Sequence, residues 1–520
     1  VANKDLVQAV AGIDVGSNAM RCAIASVNRQ GDYEIVASQR EAVRLGQDVF
    51  GSGNISEETT EKAVEAFERF RAAMDQHGVR LSRAVATSAL REAHNREFFV
   101  DRVAQETGIE LEVIGGEEEA RLVCTAVGSK IDLRGKRAIL IDIGGGSVEV
   151  TYVKDGDIVS TESVAMGTVR LLQRMRNGSD DAQFHRRVRE YADITRIWLE
   201  QTVGGQKLDF FVGTGGNVEA LAGLRALVSS NGASTSSKAG NGNGVSSLSA
   251  GDLDAIVDRL LDSTYEQRMQ EFKMRPDRAD VIVPASIVLQ TLLSQCRVAA
   301  LSVPHVGLKD GLLLDLARES VEHKKDLHRD QVIGAALQLG RKYAFDEQHG
   351  ERVRSLAVSL FDQMTSLHHL GEDSRLLLEV AALLHDIGNF VNVSAHHKHT
   401  AYLLSASPII GLSEVQRNIV ANVARYHRKS PPTVKHDPYR VLQPRDRLVV
   451  SKLASIVRLA DAMDAEHAGK VSGVSVEFKR PRLQLRLHGE GDMLLEKWSL
   501  GRKAPLLEEV FGVKLSVETP

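Results

Sequence analysis

Residues 136–156, "KRAILIDIGGGSVEVTYVKDG", run from an apolar strand through an Asp-x-Gly turn into a second strand whose side chains alternate. The same pattern opens the chain: "AVAGIDVGSNAMRCAIASV" at 9–27 reads strand, tight turn, strand. Asp142 stands 128 positions after Asp14. Two copies of one supersecondary unit at that separation predict a duplicated α/β domain with a cleft between its halves.

The flanking sequence fits that plan. "ISEETTEKAVEAFERFRAAMDQHG" predicts an amphipathic helix, capped by Ser56 and followed by Gly78. "RAVATSAL" and "IELEVIG" predict strands, and "EEEARLVCTAVGS" opens a helix. Residues 229–251, "SSNGASTSSKAGNGNGVSSLSAG", are nearly free of large apolar side chains and predict a flexible loop inside the second half. After residue 320 the character changes to helical periods, and 11 of the 17 histidines lie between His349 and His488. From Ser472 the alternation of "VSVEFKRPRLQLRLHGEG" predicts a hairpin followed by a short helix. The expected organisation is one lobe over 1–126, a second over 127–320, an all-α module over 321–470 and a small α/β tail over 471–520.

Composition narrows the function. Of 520 residues, 43% are hydrophobic and 26% charged, which excludes a disordered chain or a disulfide miniprotein. Lys+Arg 65 against Asp+Glu 69 leaves a net charge of −4, so the chain as a whole is no nucleic-acid-binding polycation. Three scattered cysteines fit a reducing compartment and argue against a zinc ribbon. The first residues lack a signal-peptide pattern and the greasiest stretches are interrupted by polar residues, so the expectation is a cytoplasmic protein with no membrane partner.

"GIDVGSN" (12–18) and "LIDIGGGS" (140–147) each put an aspartate at a strand end before a Gly/Ser turn, and "VGTGGN" (212–217) adds a third Gly turn. Glycines let backbone approach an anion, and successive amides in such turns cradle phosphate oxygens. The aspartate can hold a divalent ion directly or through water. One such turn is ordinary β-structure; three in order point to phosphate and metal.

Here the chain resembles the actin-like phosphotransferase superfamily and, within it, the exopolyphosphatase/guanosine-pentaphosphatase family. The resemblance rests on "GIDVGSNAMR", "VRLG" (43–46), "ATSALREAHN" (86–95), "GGEEEARL" (115–122), "LIDIGGGSVEV", "MGTVRL" (166–171) and "VGTGGN". It implies an α/β fold of two actin-like (ribonuclease H-like) lobes with a cleft, followed by an all-α HD-like domain. It also implies that Glu119, the acid before Ala120-Arg121, is catalytic, and that the protein is a homodimer. A carboxylate there could orient or deprotonate the attacking water, while metal and donors neutralise charge on the transferring phosphoryl group.

Asp142 and Glu149 are the leading metal candidates, seven positions apart on strands that meet at the turn, with Asp14 behind them. The expected ion is Mg²⁺ or Mn²⁺. Expected phosphate donors are Ser17, Asn18, Gly145, Gly146, Ser147, Thr214, Gly215 and Gly216, joined by Arg21 and Arg91, whose planar forks match phosphate oxygens. Asn217 departs from the Thr or Ser usual at the end of that turn, which puts its side-chain role in doubt and leaves the backbone cradle intact.

In the helical module "LLHDIGN" sets His385 beside Asp386. With His349 upstream and Asp461 downstream this is the ligand order of HD-domain phosphohydrolases, and His399 and His427 stand where two-metal versions carry extra ligands. A second divalent metal is therefore a candidate, although the resemblance does not by itself license a second active site. Residues 425–452 hold eight Lys/Arg and two acids, and Arg428, Lys429, Lys435 and Arg440 are read as a track for a polyanion leading toward the cleft. Tyr426 and Tyr439 are too few to stack bases, so nucleic acid is not the expected ligand. The expected activity is hydrolysis of terminal phosphates from inorganic polyphosphate. Guanosine pentaphosphate 5′-phosphohydrolysis is the alternative, and a non-catalytic binder of polyphosphate or nucleotide is the rival from another class.

Overall fold

The computed structural model describes residues 6–176, 180–228, 244–320, 325–479 and 481–519. The chain divides into two compact units, Val1–Lys325 and Asp326–Pro520.

In the first unit, β1 (Leu6–Val15), β2 (Met20–Asn28), β3 (Tyr33–Glu41), β4 (Leu81–Ala86) and β5 (Leu111–Val113) form a sheet in the order β3-β2-β1-β4-β5. A second sheet holds β6 (Arg137–Ile143), β7 (Val148–Lys154), β8 (Asp157–Val164), β9 (Phe210–Thr214), β10 (Ser246–Ser249) and β11 (Ala300–Val303), in the order β10-β11-β9-β6-β7-β8. In both, three antiparallel strands are followed by two parallel ones, so β1 to β5 correspond to β6, β7, β8, β9 and β11. The equivalence extends to register: Asp14 pairs with Arg21 across β1 and β2, and Asp142 with Glu149 across β6 and β7.

Local chemistry explains the elements. Ser56 accepts from the Thr59 amide and starts helix Glu57–Gln76, which buries Ala63, Val64, Phe67, Phe70 and Met74 on one side. The strand read through "RAVATSAL" stops at Ala86, and Ser88–Glu92 turns helical. The stretch 229–251 also resolves differently. Its residues 229–243 lie outside the described residues, whereas Ser246–Ser249 pairs antiparallel with β11, buries Leu248 and ends with Ser249 capping helix Ala250–Leu261. An edge strand needs only backbone partners and one anchoring side chain, which a composition count does not register.

Helices Gly116–Gly128 and Leu308–Glu319 stand between the sheets. Leu122 and Leu312 share one core with Val85 and Ile114 of the first lobe and Leu140 and Val212 of the second. Leu313, Leu316 and Ala317 pack on Val10, Ala23 and Val27, so the closing helix returns to the first sheet. Arg121 ties the two helices together, bonding Glu118 at 2.7 Å and also Asp315, while Arg83 reaches Glu118 at 3.1 Å.

The second unit begins with helices, among them Lys325–Lys342, Glu347–Gln363, Glu372–Leu384, His396–Ala406, Glu414–Arg425 and Pro444–Ala462. It ends in a sheet of β12 (Val471–Lys479), β13 (Arg482–Gly489) and β14 (Lys514–Glu518), in that order. The tail helix runs 18 residues, Leu494–Phe511, despite Pro505 inside it, and leads to a third strand parallel to β13. A proline removes one helix hydrogen bond, which makes so long a helix hard to read from sequence. Among the described residues, no helix is long and apolar enough to cross a membrane.

Gly311 measures how closely the two linking helices approach. A Cβ there would lie 2.1 Å from the Leu122 carbonyl oxygen. Gly311→Ala should therefore lower the unfolding free energy by roughly 2 kcal/mol, overpacking outweighing the helix-propensity gain. Urea unfolding measures it, and a variant as stable as wild type would contradict this packing.

Candidate active site

The Gly turns after β1, β6 and β9 face one cleft of about 300 Å³, at the carboxyl ends of the strands. Close backbone contact brings the first two together. A Cβ on Gly146 would lie 2.1 Å from Ser88 Oγ and 2.8 Å from Ser17 Oγ. The third turn depends on Gly215, whose φ of +90° and 2.9 Å Cβ approach to Asp142 Oδ1 exclude a side chain.

Glu119 sits in the first turn of helix Gly116–Gly128, Asp142 near the end of β6, and Glu149 on β7. One oxygen from each lies within 4.8 Å of the others. Glu119 and Glu149 are buried and Asp142 is half-buried at the cleft wall. Thr214 Oγ1 donates to Asp142 at 2.8 Å and Ser163 Oγ to Glu149 at 2.9 Å. Arg91 Nη1 stands 3.8 Å from Glu119 while donating to the Ile114 carbonyl at 2.6 Å. These partners do not complete the set: Glu119 Oε2 and Glu149 Oε2 are buried without a hydrogen bond.

Burial, followed by the Glu149 charge, holds the Glu119 carboxyl well above the usual range. Burial pushes Asp142 up to about 6, and burial with the Asp142 charge pushes Glu149 up to about 7. Asp14 is also raised by burial, partly offset by Arg21 at 3.3 Å. Crowded carboxylates with orphaned oxygens match the all-oxygen donor set of a hard divalent cation such as Mg²⁺.

Most of the expected site residues gather here, some in other parts. Ser17, Asn18, Arg21, Gly145, Ser147, Gly215 and Gly216 line the cleft. The Asn18 amide donates to the Asp277 carbonyl at 3.0 Å, and the Ser17 and Ser88 hydroxyls bond each other at 3.0 Å. Thr214 spends its hydroxyl on Asp142 and positions that carboxylate. Gly146 is off the cleft wall, and its carbonyl accepts from Arg170 at 2.6 Å. Arg91 is likewise off the wall, behind Glu119.

Sequence reasoning missed four cations on the wall: Arg40, Arg275, Arg278 and Lys309. Arg40 and Arg275 pair with Asp277, and Lys309 with Asp310 at 2.9 Å. Among the described residues no carboxylate stands within ion-pair distance of Arg278. Its guanidinium crosses the third turn, where a Cβ on Gly216 would lie 2.6 Å from Nη2. Burial, with Arg275 and Arg21 nearby, pulls it down to about 10. "RPDRAD" (275–280) carries no periodicity that would have flagged it.

In the second unit His349, His385, Asp386, His427 and Asp461 converge, and His396 joins them where His399 was expected. Lys429 and Lys435 are exposed, Arg440 pairs with Asp437 at 2.7 Å, and Arg428 leans on the His396 ring at 3.2 Å.

Residues 23–320 match the model of the Ppx/GppA phosphatase family, and residues 333–504 that of Ppx/GppA phosphatase, domain III. The chain is 30% identical over 323 residues, 59% of its length and 98% of the relative's, to "Exopolyphosphatase 2" of Mycobacterium tuberculosis. It is 24% identical over 424 residues, 81% of its length and 80% of the relative's, to "Guanosine-5'-triphosphate,3'-diphosphate pyrophosphatase" of Vibrio vulnificus. An exopolyphosphatase crystal structure from Cytophaga hutchinsonii superposes with a TM-score of 0.55 at 26% identity, covering 61% of this chain and 99% of that one.

The raised carboxyls fix a sign. Glu149 keeps its proton in the fold up to about pH 7, against an ordinary value of 4.5. Its contribution to metal-free stability is therefore full below the ordinary value and lost as pH rises through the folded one. In chelator at about pH 8, Glu149→Gln should be more stable than wild type, by an amount on the order of a few kcal/mol, and that advantage should shrink as pH falls and vanish below about pH 4. Mg²⁺ should raise the wild-type Tm at the higher pH and leave the variant's nearly unmoved. A pH-independent gap between the two proteins would show that Glu149 does not titrate in this range.

Proposed function

Since the chain belongs to the Ppx/GppA phosphatase family, we propose that it hydrolyses the terminal phosphoanhydride of inorganic polyphosphate, releasing orthophosphate. The carrying observation is the Glu119–Asp142–Glu149 cluster, with two orphaned buried oxygens, set against three Gly turns on one cleft.

In this reading Asp142 and Glu149 hold a Mg²⁺ or Mn²⁺ ion, with Asp14 behind them. A divalent cation there supplies positive charge opposite the phosphoryl oxygens. The backbone at Gly145, Gly215 and Gly216, with Ser17 and Ser147, receives the end phosphate. Arg278, lacking a carboxylate, meets a further phosphate of the chain. Glu119 takes a proton from a water aimed at the end phosphorus, and Arg91 holds Glu119 in place. The water oxygen bonds to phosphorus as the bridging P–O bond breaks, giving orthophosphate and a chain one phosphate shorter. The helical unit is read as HD-like, with Lys429, Lys435 and Arg440 as polymer contacts. No aromatic side chain lines the cleft among the described residues, which favours polyphosphate over a stacked base. Guanosine pentaphosphate stays as the second reading because a relative aligned over 81% of the chain carries that activity in its name.

Orthophosphate release from long polyphosphate and from guanosine pentaphosphate, assayed side by side, tests the substrate, and release from neither would reject both readings. Glu119→Gln should cut kcat by about 10²-fold or more while polyphosphate still binds, and near-normal turnover would remove Glu119 from its role. Replacing Lys429, Lys435 and Arg440 together by Ala should raise KM for long polyphosphate much more than for tripolyphosphate, with kcat nearly constant and the difference shrinking in salt. Equal KM changes for both lengths would mark the patch as solvated surface.

A further inference from the structure

The second Gly turn is held by a segment to which the proposed hydrolysis gives no role. Helix Thr168–Met175 starts against the turn, and Gly167 before it packs so closely that a Cβ there would overlap the Gly146 backbone. The Thr168 amide donates to the Gly144 carbonyl at 3.1 Å and the Val169 amide to the Gly145 carbonyl at 2.8 Å. The Gly146 carbonyl takes two donors, the Gly167 amide at 3.3 Å and Nε of Arg170 at 2.6 Å.

These bonds decide which way the turn's amides point. A trans peptide plane carries the carbonyl of one residue and the N–H of the next on opposite sides. Capturing the Gly144 and Gly146 carbonyls therefore fixes the direction of the Gly145 and Ser147 amides, and both residues line the cleft. Neither amide has a backbone acceptor among the described residues, which leaves both N–H groups for a ligand. Arg170 is the side-chain part of this grip, and it acts on the plane that holds the Ser147 amide.

The other end of the Arg170 guanidinium reaches the first lobe. Nη1 donates to one Glu92 oxygen at 2.7 Å and Nη2 to the other, while the Phe50 ring lies 4.1 Å from the guanidinium carbon. Arg170 is only 3% exposed. Glu92 ends helix Ser88–Glu92, whose Arg91 stands 3.8 Å from Glu119. Phe50 belongs to helix Leu45–Ser52, whose Gly46 amide donates to the Ser17 carbonyl of the first turn at 2.8 Å. One planar fork thus joins the phosphate cradle of the second lobe to the helix beside Glu119 and to the helix behind the first turn. Arg170, Glu92 and Phe50 do not line the cleft, so none of the three touches substrate there.

We propose that Arg170 is a positioning residue for phosphoryl transfer, aiming the Ser147 amide and setting it in register with Arg91 and Glu119. The role rests on the hydrolase reading. Donors aimed at phosphoryl oxygens contribute most where charge builds in the transition state, so a misaimed amide lowers kcat more than it weakens binding. Lysine keeps the charge but cannot span a carbonyl and both oxygens of a carboxylate.

The test uses the full-length protein in Mg²⁺ with long polyphosphate and guanosine pentaphosphate as substrates. Tripolyphosphate affinity is measured by calorimetry in a Glu119→Gln background, where turnover is suppressed. Arg170→Lys should lower kcat by about 10- to 100-fold and raise KM and the tripolyphosphate Kd by only about two- to threefold. Glu92→Gln should lower kcat by a smaller factor, and the double variant should be no slower than Arg170→Lys alone, because both changes break one tie. A lowered Tm with normal kcat and Kd would make Arg170 a packing residue and overturn the proposal, as would a loss carried by KM alone. Should Arg170→Lys not fold, Glu92→Gln decides, and an unchanged kcat there refutes the tie. Wild type that turns over neither substrate rejects the hydrolase reading. The tripolyphosphate Kd then judges Arg170 by itself: a rise in the variant supports its grip on the cradle, and an unchanged value overturns it.

Discussion

Three carboxylates confined within 4.8 Å of one another, those of Glu119, Asp142 and Glu149, set the terms for the rest of the first unit. Removing one ionised carboxylate from water costs several kcal/mol, and mutual repulsion adds to that. The protein offsets only part of it, through hydroxyls from Thr214 and Ser163 and one guanidinium at 3.8 Å. The remainder calls for a cation from outside, and the surroundings hold the carboxylates where one can reach them. Arg121, Glu118 and Asp315 lock the helix that carries Glu119 against the closing helix, and glycine at 146 lets the first two turns touch.

The duplicated topology shows how the site arose from equivalent positions put to different use. Asp14 and Asp142 occupy matching places, as do their cross-strand partners Arg21 and Glu149. In the first lobe the partner is a cation that neutralises the aspartate at 3.3 Å. In the second it is another acid, and the two negative charges ask for a metal. One lobe thus carries an ion-paired cation at this position and the other a second acid, so the two halves of a symmetric frame differ in charge.

That frame was legible in the sequence because strand, Asp-x-Gly turn and strand recur as a local pattern, and local patterns survive in one dimension. Glu119 was reached through the motif around it, since its depth and its two neighbours come from distant segments. Arg278 was invisible for the same reason: nothing in "RPDRAD" says which cation lacks a carboxylate partner. Thr214 and Gly146 were read as phosphate donors, and only packing shows that one hydroxyl serves Asp142 and that the other residue is contact surface. In "HHKH" the spacing of three histidines cannot say where the helix begins, so His399 was read in place of His396.

If the buried carboxylates direct water at the end phosphorus, the oxygen of that water must leave with the released phosphate. Hydrolysis of polyphosphate in ¹⁸O-water, followed by mass spectrometry of both products, observes this directly. The account predicts one labelled oxygen in each orthophosphate and none in the shortened chain. Label retained by the chain end would place the attack on the penultimate phosphorus and contradict it.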